Sequence, residues 1–337
     1  MEIRRIQMTG GSSYIVTLPK DWIKSLNIKK NDPVGLFQQS DGTLLVTPKI
    51  DREYTQRTKE FDTSNVTDQN FLLRRLIGAY ITGYNSIKIT SKTRMSPAVK
   101  LTVRKFIQAT VGQEIVEETE NYILVKDLLN PAEMPFDRTI KRMHIIVKGM
   151  HEDITTAIQK KDKKLAEDVI LRDNDVNRLH WLVARQHNII LANVRFAEKM
   201  GITVELATTS FLISRIIERI GDHVVRMAEN IVRLFNSNLD KKIIERVITA
   251  SNLASDIFNK SIVSFFRKDL QASNDNIESV AKLESLCEEI NALALKQKGI
   301  VAISVGYIVE SIRRIGEYAE DISENVINYL VGEEKQS

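Results

Sequence analysis

One helical phrase occurs twice in this chain, as Glu218-Arg219-Ile220-Gly221-Asp222-His223 and again as Arg314-Ile315-Gly316-Glu317-Tyr318. The repeat limits the fold sharply. Each copy is an amphipathic helix that cannot bury its apolar face alone, so two copies call for a duplicated bundle. From Thr139 onward the apolar spacing is helical, with breaks near Lys160-Lys161-Asp162, Gly201, Asn236-Ser237-Asn238, Ala272-Ser273-Asn274 and Gly299. Six helices follow, in two sets of three, with the Ile-Gly phrase in the third helix of each set. Ile213, Ile217, Ile220, Val224, Met227 and Ile231 recur at three- and four-residue steps, as do Ile308, Ile312, Ile315, Ile322 and Tyr329. These are the expected buried seams.

At about 100° per residue, Glu218 and Asp222 each lie about 160° from Ile220, which predicts surface acids. Glu310, Glu317, Asp321 and Glu324 share one face of the second copy. Like charges four residues apart repel by a few tenths of a kcal/mol in water, and a cation reverses that sign. The same acids also have arginine neighbours. Arg215, Arg219 and Arg226 in the first copy, and Arg313 and Arg314 in the second, stand at spacings that build an ordinary salt-bridge ladder without metal.

The first fifty residues are of another kind. Ile3, Ile6 and Met8 precede the Gly10-Gly11-Ser12-Ser13 turn, and Tyr14 to Leu18 reads as a strand ended by Pro19. Lys20 to Leu26 has the pattern of a short helix. Val34 to Phe37 and Leu44 to Val46 form a hairpin bracketed by the turn signals Asn31-Asp32-Pro33 and Ser40-Asp41-Gly42. So few large apolar side chains make a marginal core, and pairing two copies would complete it.

Between head and helices, Asp51 to Asn65 reads as a polar linker with room for one short strand. A helix from Phe71 to Thr82, capped by Asp68-Gln69-Asn70, precedes a strand at Ser86–Thr90. Ser96-Pro97 then starts a helix through Ile107, and Gln113–Glu117 with Tyr122–Val125 forms a hairpin. A small α/β domain is expected. Arg74 and Arg75, and Arg94, Lys100, Arg104 and Lys105, read chiefly as solvated helix faces. No P-loop or GxGxxG fingerprint occurs.

The head resembles the SpoVT/AbrB family through Gly10 to Tyr14, Val16 to Trp22 and Asp41 to Leu44. That resemblance implies interleaved hairpins in a dimeric swapped-hairpin barrel, with Arg4, Arg5, Ser12, Ser13, Tyr14 and Lys20 near DNA phosphates and bases. Relatives of this fold also serve as antitoxins or assembly units. The helical body resembles the PhoU family of phosphate-signalling proteins through Glu218 to His223 and Ala228-Glu229. The resemblance implies surface metal sites, with iron, zinc or magnesium across members. Carried over by position, the ligands are Asp173, Asn177, Glu218, Asp222 and Glu229 in the first copy, and Glu284, Glu288, Glu317, Asp321 and Glu324 in the second. Arg226 stands where the family has asparagine, and Arg313 where it has glutamate.

The expected architecture is therefore α+β and multidomain. It comprises an AbrB-like β-barrel over residues 1–52, a central α/β domain over 53–138 whose role the residues leave open, and a PhoU-like all-α pair of three-helix bundles over 139–337. A formal charge of +4 on 337 residues is too small for wholesale nucleic-acid or membrane binding, so any basic surface is local. Cys287 is the only cysteine, which excludes an intrachain disulfide. Charges interrupt every hydrophobic run, so a soluble, cytoplasmic protein without membrane insertion is expected. No nucleophile–base–acid set and no HExxH spacing points to an enzyme. The combination resembles archaeal phosphate-uptake regulators. It implies a transcriptional regulator that binds DNA as a homodimer or higher even oligomer, with a phosphate transporter ATPase as a further partner. The alternatives are an adaptor on a transporter or sensor, its head serving only for dimerisation, and a metal-dependent phosphate-ester hydrolase.

Overall fold

The computed structural model describes residues 2–38, 42–48, 57–130, 133–193, 195–237 and 239–334. Ser40 and Asp41 of the expected turn, Asp51 to Gln56 of the expected linker, and Asn238 lie outside them. The chain divides into two compact units, Met1–Gln56 and Arg57–Ser337, a few residues later than the expected head boundary.

In the first unit, β1 (Gln7–Thr9) pairs antiparallel with β2 (Ser13–Ile15), and β3 (Gly35–Gln38) with β4 (Leu44–Thr47). Gly10 and Gly11, at φ 61° and 81°, make the turn between β1 and β2. Those left-handed conformations are open to glycine at little cost. The short α1 (Lys20–Ser25) follows Pro19. No described residue of this unit is buried. Ile3, Ile6, Met8 and Tyr14 are 81%, 71%, 65% and 75% exposed, against the ordinary placement of such side chains.

The second unit opens with a four-stranded sheet in the order β5-β6-β8-β7. Its strands are β5 (Thr58–Asp62), β6 (Ser86–Thr90), β7 (Gln113–Glu118) and β8 (Tyr122–Asp127), and only β5 and β6 run parallel. β5 falls where the sequence reads mostly as linker. Its signal is weak because Phe61 is its one buried residue. Helices α2 (Gln69–Ile81) and α3 (Pro97–Ala109) are capped by the Asp68 carboxylate and the Ser96 hydroxyl. Leu72, Leu76, Tyr80, Val103 and Phe106 pack on Ile87, Ile89, Ile123 and Val125 to form this core.

The helical body follows as α4 (Phe136–Lys160), α5 (Lys163–Ala192), α6 (Arg195–Lys199), α7 (Val204–Leu234), α8 (Lys241–Arg267), α9 (Leu270–Glu278), α10 (Val280–Ala294) and α11 (Ile300–Glu334). Both expected seams are buried, in one core shared by both repeats. The break expected at Ala272-Ser273-Asn274 is helical instead. Lys268 turns the chain at φ 53°, and Asp269 caps α9 by accepting from the Ala272 N–H.

α5 reaches beyond the bundle into the α/β domain, where Trp181 packs against the sheet–helix core. Arg185 is buried there, and its Nη2 lies 2.7 Å from Asp127 Oδ2. Its Nη1 donates to the Tyr80 carbonyl, and the guanidinium stacks 4.9 Å from the Tyr80 ring centroid. Burial pushes the Asp127 pKa up while Arg185 pulls it down, as for a charge kept in place by its partner.

Candidate functional site

The acids of the first copy are set by α5 and α7 together. Asn177 Nδ2 donates to Asp173 Oδ2 at 2.7 Å, while Asp173 Oδ1 is buried without a hydrogen-bond partner. That free oxygen lies beside Gly221, where an added Cβ would meet it at 3.6 Å. It thus stands against the backbone between Glu218 and Asp222. Burial, then the Asp222 charge, pushes the Asp173 pKa up to about 6. Glu218 and Asp222 are also raised, each mainly by burial, with Asp222 adding to the rise at Glu218.

The expectation of open surface acids is therefore corrected for Glu218, whose side chain is only 13% exposed. The helical wheel carries no record of α5 packing beside α7. Glu229 is exposed two turns along and is absent from the charges acting on the other three. The arginine ladder is sparse here too. Arg215 reaches Glu218 at 3.7 Å, but Arg219 and Arg226 stack on Tyr318 and Tyr307 of α11.

In the second copy the ladder is complete. Arg313 and Arg314 both bind Glu310 and Glu317, which neutralises those two acids internally. Asp321 is raised by burial and then by Glu324 and Glu317. Glu320, which the sequence reading passed over, is raised by burial and then by Glu324, Asp321, Glu284 and Glu317. Glu288 is exposed on α10 and does not act on them.

The two glycines of the phrase serve different ends. A Cβ at Gly316 would come 2.3 Å from Leu283 Cδ2, so glycine there lets α10 approach α11 closely, while Gly221 has ordinary clearance. Among the described residues, no three His, Cys, Asp or Glu side chains converge as a metal centre. The acids of each copy are neighbours in electrostatic reach rather than a formed coordination shell.

In the head, Ser12, Ser13 and Tyr14 lie on the turn and β2, Arg5 precedes β1, and Lys20 opens α1, all exposed. Arg4 is exposed as well and pairs with Glu2 at 3.0 Å. In the α/β domain, Lys100 and Arg104 both bind Glu118, and Arg75 stacks over Phe61 and Phe71. No helix among the described residues is long and apolar enough to cross a membrane.

Residues 140–231 match the PhoU domain family, and residues 7–53 match the family described as antidote-toxin recognition MazE, bacterial antitoxin. The chain is 22% identical over 208 residues to a phosphate-specific transport system accessory protein PhoU homolog of Clostridium acetobutylicum, covering 57% of this chain and 90% of that protein. It is 24% identical over 232 residues to an uncharacterized protein of Methanocaldococcus jannaschii, covering 65% of this chain and 76% of that one. Its fold is like that of the phosphate transport system regulatory protein PhoU from Streptococcus pneumoniae, with TM-score 0.51 at 16% identity over 58% of this chain and 94% of that one. PhoU from Pseudomonas aeruginosa superposes with TM-score 0.52 at 17% identity, over 58% of this chain and 96% of that one. The chain is thus an α+β protein that carries a PhoU domain in its helical body and an antitoxin-type domain of the MazE/AbrB kind at its amino end.

Proposed function

We propose that this protein regulates phosphate uptake by binding DNA as a homodimer, with its helical body setting the response to phosphate status. The observation that carries the reading is the head, where no described apolar side chain is buried in a single copy and many are exposed, while Arg5, Ser12, Ser13 and Lys20 supply phosphate-binding chemistry. A second copy covers the apolar surface and doubles the basic one. Support for the phosphate role comes from relatives named as accessory proteins of phosphate-specific transport. Those names equally favour a second reading, in which the chain acts on a transporter and the head only dimerises. Neither reading makes the protein an enzyme. Mapping genomic sites crosslinked to the protein in phosphate-replete and phosphate-starved cells separates the two. The DNA reading expects enrichment upstream of phosphate-transport genes, shifting with phosphate; uniform background in both conditions contradicts it.

Within this reading, the first repeat is where a divalent or trivalent cation such as iron, zinc or magnesium would be held. Asp173, with its unpartnered oxygen, Glu218 and Asp222 supply hard oxygen donors whose mutual repulsion a cation relieves, and Asn177 braces Asp173. The second repeat fits less well, because Glu317 is already held by two arginines. Elemental analysis of protein purified without chelator should find metal that Asp173→Asn reduces and Glu317→Gln leaves in place. Equal metal in wild type and Asp173→Asn contradicts this assignment.

A further inference from the structure

The opening turns of α11 carry an apolar stripe that the described residues leave largely exposed. Ile300, Ile303 and Tyr307 recur at steps of three and four, so they share one face of the helix, and they are 50%, 57% and 41% exposed. Leu295, in the connection just before, is 86% exposed. Val305 and Ile308, on the opposite face, are buried in the shared core. The stripe is therefore left over after the bundle has buried what it needs.

One cation is seated on this stripe, and two more are placed near it by sequence position. Arg226 of α7 lies 4.7 Å from the centroid of the Tyr307 ring, which fixes the ring as a rigid apolar surface with a charge above it. Arg233 follows Arg226 by seven residues, which puts it on the same side of α7, and Lys298 sits in the connection that leads into α11. Among the described residues, none of these three cations is in an ion pair, whereas Arg313 and Arg314 further along are fully engaged.

We propose that this face of α11 is a docking surface for an acidic amphipathic helix of a partner protein. The spacing from Ile300 to Tyr307 is that of a helix–helix seam, about 10 Å long, and suits a helix laid in a groove with anchors at every turn. The unpaired cations set the sign of the partner's flanks, since charge complementarity selects and steers such encounters. An anionic bilayer would also meet basic charge, but a narrow stripe on the side of one helix, with its tyrosine pinned by Arg226, matches a helical partner better. The surface lies on the helical body, outside the head.

The test uses the full chain and a fluorescent designed helical peptide with leucines at i, i+3 and i+7 and glutamates on both flanks. A second peptide keeps the leucines and carries lysines instead. The acidic peptide should bind at least about tenfold more tightly than the basic one, and salt should weaken it. Ile303→Asp and Arg226→Glu should each weaken binding by about tenfold or more. Ile145→Asp, at an exposed apolar position on α4, should leave it unchanged, with far-ultraviolet circular dichroism confirming that all variants fold. Absent binding, equal binding of the two peptides, or equal binding by wild type and Ile303→Asp overturns the proposal. So does sedimentation with phosphatidylglycerol vesicles, or self-association, that Ile303→Asp abolishes while peptide binding stays the same.

Discussion

Replacing Arg185 with Met should destabilise the Arg57–Ser337 unit by about 3–5 kcal/mol, the usual cost of removing one partner of a buried ion pair. Arg185 and Asp127 side chains are 1% and 3% exposed, so solvent cannot take the place of the lost guanidinium. The variant strands a carboxylate whose pKa burial already pushes up, and it withdraws the donor to the Tyr80 carbonyl. The second substitution discriminates. Arg185→Met with Asp127→Leu should recover much of the loss, because an apolar pair of similar volume avoids the desolvation of both charges. Urea unfolding followed by Trp181 fluorescence reads both changes, since Trp181 packs at this junction. A loss below about 1 kcal/mol for the single variant would show that α5 is not held to the α/β domain by this pair.

Acid should destabilise the same unit well before carboxylates are generally protonated. All five histidines lie in the helical body, and each has a lowered pKa with burial as the largest cause. His151 and His180 are held at about 4 against an ordinary 6.5, and are almost fully buried. His151 Nε2 pairs with the Ser251 hydroxyl at 2.6 Å, and His180 Nδ1 with Ser214 at 3.1 Å.

The folded state thus binds the proton more weakly than the unfolded chain. Stability is full above about 6.5, falls as pH drops from there toward about 4, and then levels. Each of these two sites contributes on the order of 3 kcal/mol across that window. Asp173, raised to about 6, works in the opposite direction, because its folded form gains from protonation in the same range. Asp127, Glu218, Asp222, Glu320 and Asp321, whose pKa values are also raised, work in the same sense, and together these acids offset part of the loss. Urea midpoints at about pH 7 and about pH 5 should therefore differ clearly, and His151→Gln should flatten the difference. Coincident midpoints for the wild type would contradict this account of the core.

The helical periodicity was enough to read the two buried seams, because Ile213 through Ile231 and Ile308 through Tyr329 keep their spacing, but not the helix count, since α6 and α9 add to the six expected. Side-chain identity also marked the acids of both copies. What it left out was the third dimension. A wheel drawn on α7 alone turns Glu218 toward water, and only the packing of α5 encloses it. β5 was obscured for a similar reason, since one buried side chain among five gives no alternation to detect. Arg185 had a faint signal, a lone cation within Leu182-Val183-Ala184-Arg185-Gln186, yet its partner Asp127 lies far away in sequence. Arg226 was read as a ladder member or a displaced ligand, whereas it caps Tyr307. Its stacking partner belongs to the other repeat, beyond the reach of local spacing.

Under the proposed function, the head finishes its fold only against a second copy, and the completed pair grips a duplex. Hydrogen exchange of the Gln7–Ile15 amides, followed across a dilution series of the full chain alongside its mass by ultracentrifugation, tests this directly. Protection in that segment should fall together with the dimer on dilution, and Ile15→Asp should remove both along with duplex affinity. Protection that persists in a monomer at every concentration would show that the head is complete in one chain and needs no second copy.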